Sequence, residues 1–179
     1  VDENTGSASF QWLVTATNIL LKGNAKALVT APISKIAWHK AGHKFAGQTE
    51  LLGKLTNKKT SMLFTAISPN NGWRFNTLLA TTHIPIDTIS DNLTQELIKE
   101  KLDALLNFCR KFREKPLIHI AGLNPHAGEE GTIGIEEKSL IIPVLNKWKS
   151  ENPDIQIIGP IPPDTCWISA ADAWNSNST

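Results

Sequence analysis

The sequence has no tyrosine, a single methionine and only two cysteines, Cys109 and Cys166. Two cysteines so placed give neither a metal-ligand spacing nor a disulfide framework. Cys109 falls on the apolar face of an expected helix and reads as core. No apolar run approaches the roughly 20 residues needed to span a bilayer, and no signal-peptide pattern is visible. No membrane partner is therefore expected, and the cytoplasm is the expected compartment. Charge of one sign is lacking too: 18 basic and 17 acidic residues leave a net +1. Their mixing excludes the basic footprint of a nucleic-acid binder. Neither the dinucleotide GxGxxG nor the Walker GxxxxGK[ST] spacing occurs. No Ser/His/Asp or Cys/His order suggests nucleophilic catalysis. There is no internal repeat and no low-complexity linker. The six tryptophans carry no functional reading at this level.

What is present is an alternation of helical and strand-like segments. The 179 residues suffice for one α/β domain with a core. Residues 1–8 read as loose. Apolar spacing predicts a helix over Ser9–Lys22, closed by Gly23-Asn24. A short strand is expected over Ala25–Thr30, then helices over Ser34–Ala41 and Thr49–Leu55. Thr60–Ser68 and Asn76–Ile86 read as a β-hairpin about Pro69-Asn70-Asn71-Gly72, where Asn-Gly favours positive φ. The longest helix is expected over Ser90–Phe112, with Asp91 as its cap. Pro116–Leu123 reads as a buried strand and Glu136–Asn152 as an amphipathic helix. A strand over 155–159, a proline-stiffened segment and a short helix over Ser169–Trp174 follow. The fold class is α/β: a mainly parallel sheet with helices on both faces and a hairpin insertion. One domain is expected over 1–179. Val1 in place of Met and the tail NSNST read as those of a piece of a longer protein.

The chain is organised around AGLNPHAGEEGTIGIEE, Ala121–Glu137. A strand leads in and a helix leads out, the place where open α/β sheets bind ligands. Helix starts also offer unpaired N–H groups to anions. The stretch reads equally as a ligand loop or as a structural turn. Of the five histidines, His39 and His43 read as helix-end residues and His119 as a packed strand residue. His83 and His126 each follow a strand end, so they can converge over one edge of a sheet. A catalytic zinc site uses three protein ligands; Asp164 and Glu129 are weak candidates for the third. Thr30–Lys35 places hydroxyls and Lys35 at a strand end, fit for phosphate or carboxylate. Gly47-Gln48-Thr49-Glu50 suits a substrate hydroxyl. Each of these two reads equally as a helix cap.

The order TAPISK (30–35), AGQTELL (46–52), ATTHIPI (80–86), GLNPHAGEEGTIGIEE (122–137), IIPVL (141–145) and IGPIPPDT (158–165) resembles the 4-hydroxythreonine-4-phosphate dehydrogenase family, over about residues 8–170. The resemblance implies an isopropylmalate-dehydrogenase-like fold, a homodimer, and a place in pyridoxal phosphate (pyridoxine) biosynthesis. It implies NAD-dependent oxidation of a small phosphorylated substrate, 4-phosphooxy-L-threonine, and decarboxylation to 3-amino-2-oxopropyl phosphate. It implies a divalent metal (Zn, Mg or Co) held by three histidines, two of them matching His83 and His126. The third belongs to a YHDQG segment that this sequence lacks. The family's substrate-contacting His-Thr pair matches Gln48-Thr49. Lys35, Asn124, Glu129 and Asp164 are possible supporting residues. With no glycine-rich fingerprint, NAD is expected to bind by a non-Rossmann route, and this chain alone is expected to be inactive. Two alternatives remain: a related threonate or erythronate phosphate dehydrogenase, which Gln48 leaves open, or a non-catalytic dimerisation or binding domain.

Overall fold

A computed structural model describes residues 1–176. The chain divides into two compact units, Val1–Ser61 and Met62–Thr179, a finer division than the one domain expected. The first unit is helical: α1 (Glu3–Leu21), α2 (Lys35–Lys40) and α3 (Gln48–Thr56). The helix begins six residues earlier than the apolar spacing indicates because Asp2 and Thr5 close a reciprocal capping box. The Asp2 carboxylate accepts from the Thr5 N–H at 2.8 Å, and Thr5 Oγ1 accepts from the Asp2 N–H at 3.2 Å. Such a pair satisfies two of the N–H groups a helix start leaves unpaired. Residues 3–8 are therefore helical, not loose.

Close approach of α1 and α2 depends on Gly6, where a Cβ would stand 2.0 Å from the Ala37 carbonyl oxygen. Leu13, Trp38 and Leu51 form the core beneath, with Phe10, Phe45 and Leu55 packed around them. Trp38 is fully buried, and its indole N–H donates to Ser9 Oγ at 2.9 Å. His43 stacks on Phe10 with ring centroids 3.6 Å apart, which gives that imidazole a packing role. Ala25–Thr30 differs from expectation. The segment has no regular secondary structure and pairs with no strand among the described residues, and Val29 is 95% exposed. Its apolar run is not evidence of burial, since a strand requires a neighbour to satisfy its N–H and C=O groups.

In the second unit, β1 (Leu63–Ile67) and β2 (Arg74–Leu78) pair antiparallel with Thr65 opposite Asn76. Gly72 takes φ 73° in the turn between them. The final helix, α7 (Ile168–Asn175), is tied to this turn: Ser68 Oγ donates to the Trp174 carbonyl at 2.7 Å, and Asn71 Nδ2 to that of Ala173 at 2.8 Å. β3 (Leu117–Ala121) and β4 (Gln156–Ile161) pair parallel, with an irregularity between His119 and Ala121. Among the described residues the expected mainly parallel sheet is thus two separate two-stranded sheets, one parallel and one antiparallel.

The long helix expected over Ser90–Phe112 is interrupted. A short helix α4 (Ile89–Asn92) ends at Leu93, which is extended. Thr94 then caps α5 (Gln95–Cys109), its hydroxyl accepting from the Leu97 N–H at 3.1 Å. A hydroxyl that bonds the backbone three residues on competes with helix continuation, so Thr94, not Asp91, is the cap. The helix expected over Glu136–Asn152 opens with a π-turn, Glu137–Ile141, before α6 (Ile142–Glu151). Pro143 explains this, since its ring would collide with the carbonyl four residues back in a regular α-turn. Ile98, Leu102 and Leu106 of α5 pack with Val144, Leu145 and Trp148 of α6 and with Ile118 and Ile155. No described helix is long and apolar enough to cross a membrane.

Candidate functional site

Because β3 and β4 are parallel, with Ala121 opposite Ile161, their carboxyl ends lie on one edge. Asn124 and His126 leave from one strand and Asp164 from the other, where α/β sheets hold ligands. After Asn124, which is extended, and Pro125, the backbone enters the left-handed region over five residues. His126, Ala127, Gly128, Glu129 and Glu130 have φ of 53°, 52°, 80°, 43° and 55°. For L-residues this conformation costs about 1–2 kcal/mol each, so the four residues with a Cβ store on the order of 4–8 kcal/mol. His83 shares the peculiarity, with φ 57°. Both histidines singled out from the sequence are exposed and stand on strained backbone, a state that persists only where surroundings enforce it.

Beneath the loop that carries His126 lies a carboxylate that the sequence reading passed over. Glu137 is 2% exposed. Its Oε1 accepts from the backbone N–H groups of Leu123 and Asn124, each at 2.7 Å. Its Oε2 accepts from Asn124 Nδ2 at 2.8 Å. Asn124 Nδ2 also donates to Glu136 Oε2 at 2.8 Å, and Ser90 Oγ donates to Glu136 Oε1 at 2.8 Å. A chain of hydrogen bonds thus runs from α4, just beyond His83, to the loop that carries His126. Burial raises the Glu137 pKa, but hydrogen bonds, led by those from Asn124, outweigh it and hold the carboxyl below its ordinary value. The amide of Asn124, with Ser90, holds Glu136 low as well. The loop leaves no room for side chains at two glycines. A Cβ at Gly128 would lie 2.5 Å from the Gly134 carbonyl oxygen, and one at Gly134 would lie 2.2 Å from Asn124 Cγ.

His126 Nδ1 lies 3.1 Å from Glu129 Oε1. A neutral imidazole offers a ring nitrogen as a metal ligand. The donor chemistry of His126 therefore fits a metal ion. The set is incomplete, however: no group of three or more His, Cys, Asp or Glu among the described residues is placed to hold one. Glu129 and Asp164 thus complete no three-ligand group.

The other predicted residues gather in the first unit. Gln48 Nε2 donates to the Ala31 carbonyl at 3.0 Å, which joins the start of α3 to the TAPISK segment. A Cβ at Gly47 would lie 3.9 Å from Lys35 Cε, so Lys35 reaches the same place. Ser34 is spent as the α2 cap, its hydroxyl accepting from the Ala37 N–H at 3.3 Å. Thr49 lies in the first turn of α3 and is partly buried.

Comparison with known proteins agrees with this assembly of motifs. The family described as "Pyridoxal phosphate biosynthetic protein PdxA" matches residues 1–175, and the chain belongs to that family. The 4-hydroxythreonine-4-phosphate dehydrogenase of a Synechococcus species is 53% identical over 173 residues, covering 96% of this chain and 53% of the relative. That of Thermosynechococcus vestitus is 49% identical, covering 95% and 51%. The crystal structure of the Klebsiella pneumoniae 4-hydroxythreonine-4-phosphate dehydrogenase superposes with a TM-score of 0.81 at 32% identity, covering 96% of this chain and 50% of that one. The chain thus spans about half the length of the curated relatives it matches.

Proposed function

We propose that the whole protein carrying this chain is a 4-hydroxythreonine-4-phosphate dehydrogenase. It oxidises 4-phosphooxy-L-threonine with NAD as hydride acceptor. The substrate carbinol carbon gives up a hydride and its hydroxyl a proton. The resulting β-keto acid loses CO₂ and takes a proton at the adjacent carbon, giving 3-amino-2-oxopropyl phosphate. A divalent metal such as Zn, Mg or Co supplies Lewis acidity at the reacting oxygen. His83 and His126 are its two ligands from this chain. Asn124 and Glu129 orient His126, and Asp164 borders the same sheet edge. Lys35, Gln48 and Thr49 offer a cation and hydrogen-bonding groups to a phosphorylated substrate. The expected context is an isopropylmalate-dehydrogenase-like homodimer in the cytoplasm. The observation that carries this reading is the left-handed turn of the NPHAGE segment, which presents an exposed imidazole beside Glu129.

The test follows NAD reduction and CO₂ release with 4-phosphooxy-L-threonine. His126→Ala and His83→Ala in the whole protein each remove a metal ligand worth several kcal/mol of charge stabilisation, so turnover should fall about 100-fold or more. Turnover near the wild-type rate in either variant would refute that residue's role. Gln48 in place of the family's histidine favours trying a four-carbon sugar-acid phosphate in the same assay; faster turnover of threonate phosphate would reassign the substrate.

A further inference from the structure

Glu137 is the one buried acidic residue among the described residues, and no part of the proposed chemistry uses it. A carboxylate at the start of a helix ordinarily serves the N–H groups of its own first turn. This one reaches back 13 and 14 residues, to Asn124 and Leu123. Only Pro125 separates them from the left-handed run. Its second oxygen lies under the turn itself, 2.7 Å from where a Cβ at Gly128 would stand. The Ala127 N–H donates to the Asn124 carbonyl at 3.0 Å, and the Thr132 and Ile133 N–H groups close the far end on the Glu129 and Gly128 carbonyls at 3.0 and 3.1 Å. These bonds are local to the turn, whereas the Glu137 carboxylate ties it to the helical segment that follows.

We propose that Glu137 is a positioning residue for the reaction: by bonding the backbone and amide of Asn124, it fixes the direction in which the left-handed turn presents His126. This rests on the reading of His126 as a metal ligand. Both oxygens of Glu137 accept hydrogen bonds, so an isosteric amide is a mismatch whichever way it lies. Its NH₂ would face either the two backbone N–H groups or the side-chain amide of Asn124. Glu137→Gln therefore keeps volume and shape while breaking the grip on the loop.

The experiment measures Zn²⁺ affinity of the whole protein by competition with a chromophoric chelator, for wild type, Glu137→Gln, His126→Ala and Trp148→Phe. The last is a stability control in the same core: it removes the indole bond to Asp103, away from the loop. Amide ¹⁵N shifts of residues 126–131 are recorded without metal. Orienting groups behind a ligand are worth roughly 10–100-fold in metal affinity. Glu137→Gln should lose that much and shift the amides of the turn, while Trp148→Phe leaves both unchanged. Amide shifts in Glu137→Gln that match wild type would overturn the proposal. So would an equal loss of affinity in Trp148→Phe. If His126→Ala binds Zn²⁺ as wild type does, the metal reading fails instead, and the amide shifts alone decide the role of Glu137.

Discussion

Of the acidic residues at helix starts in this chain, Asp2 and Glu137 do different work. Asp2 is exposed and closes a capping box with a residue three positions on. Glu137 is buried and bonds residues 13 and 14 positions back. The Asp2 carboxyl is held low chiefly by the backbone N–H and hydroxyl of Thr5. The Glu137 carboxyl is held low against its own burial. The first arrangement is local, so it stabilises only the helix that contains it. The second couples a helix to a loop whose conformation is unfavourable in isolation, which is what a site requires when an imidazole must point one way.

The sharpest way to break the comparison is through two glycines at positive φ. Gly128 has φ 80° and Gly23 φ 77°, but a Cβ meets nothing within 4 Å at Gly23 and collides with Gly134 and Glu137 at Gly128. Replacing Gly23 by Ala tests backbone strain alone and should destabilise by about 1 kcal/mol. Gly128→Ala adds displacement of the Glu137 carboxylate and should destabilise by roughly 2–4 kcal/mol. Urea unfolding of both variants measures the difference. Equal values would mean that the loop yields and that Glu137 holds nothing in place.

A smaller effect is expected from pH. The folded-state pKa of Glu137 lies below its ordinary value of 4.5. A carboxyl of lowered pKa contributes stability that is fully present above the unfolded-state value and is lost as pH falls through the folded one. The loop should therefore loosen below about pH 4.5, first at Leu123 and Asn124. Amide-exchange protection factors at those two residues, taken relative to the intrinsic rate at each pH and followed down through that range, should fall in wild type and be nearly flat in Glu137→Gln. A flat wild-type protection profile would remove Glu137 from the coupling.

These differences also explain what was legible in the residues alone. The strand–loop–helix order around NPHAGE was readable, because apolar runs and glycines record it. Ser34, which caps α2, lies where its hydroxyl type and the following apolar spacing place a helix start. Glu137 was missed although a signal existed. It lies on the same stripe as Ile141, Val144, Leu145 and Trp148, all buried, and a carboxylate on an apolar stripe needs partners. Its partners are remote in sequence, so no local pattern names them. The left-handed run is invisible for a related reason. Four of its five residues are not glycine, and propensity argues against them at positive φ. The expected strand at Ala25–Thr30 fails differently, since its apolar character gives no information about a pairing partner.

The smallest expected effect falls on the other member of the opening comparison. Asp2→Ala removes the acceptor for the Thr5 N–H, but that group faces water, which replaces the bond. Fraying should be confined to the first turn of α1, because Gly6 onward is held by contact with α2. Amide exchange should accelerate at residues 4–6 and remain unchanged at Leu13 and Thr17, which lie in the buried stretch. Acceleration reaching Leu13 would mean that a surface cap controls a core, and the distinction between the two carboxylates would dissolve. Protection retained at Leu13 would instead place the weight of the first unit on Trp38 and its neighbours, as the burial of that indole implies.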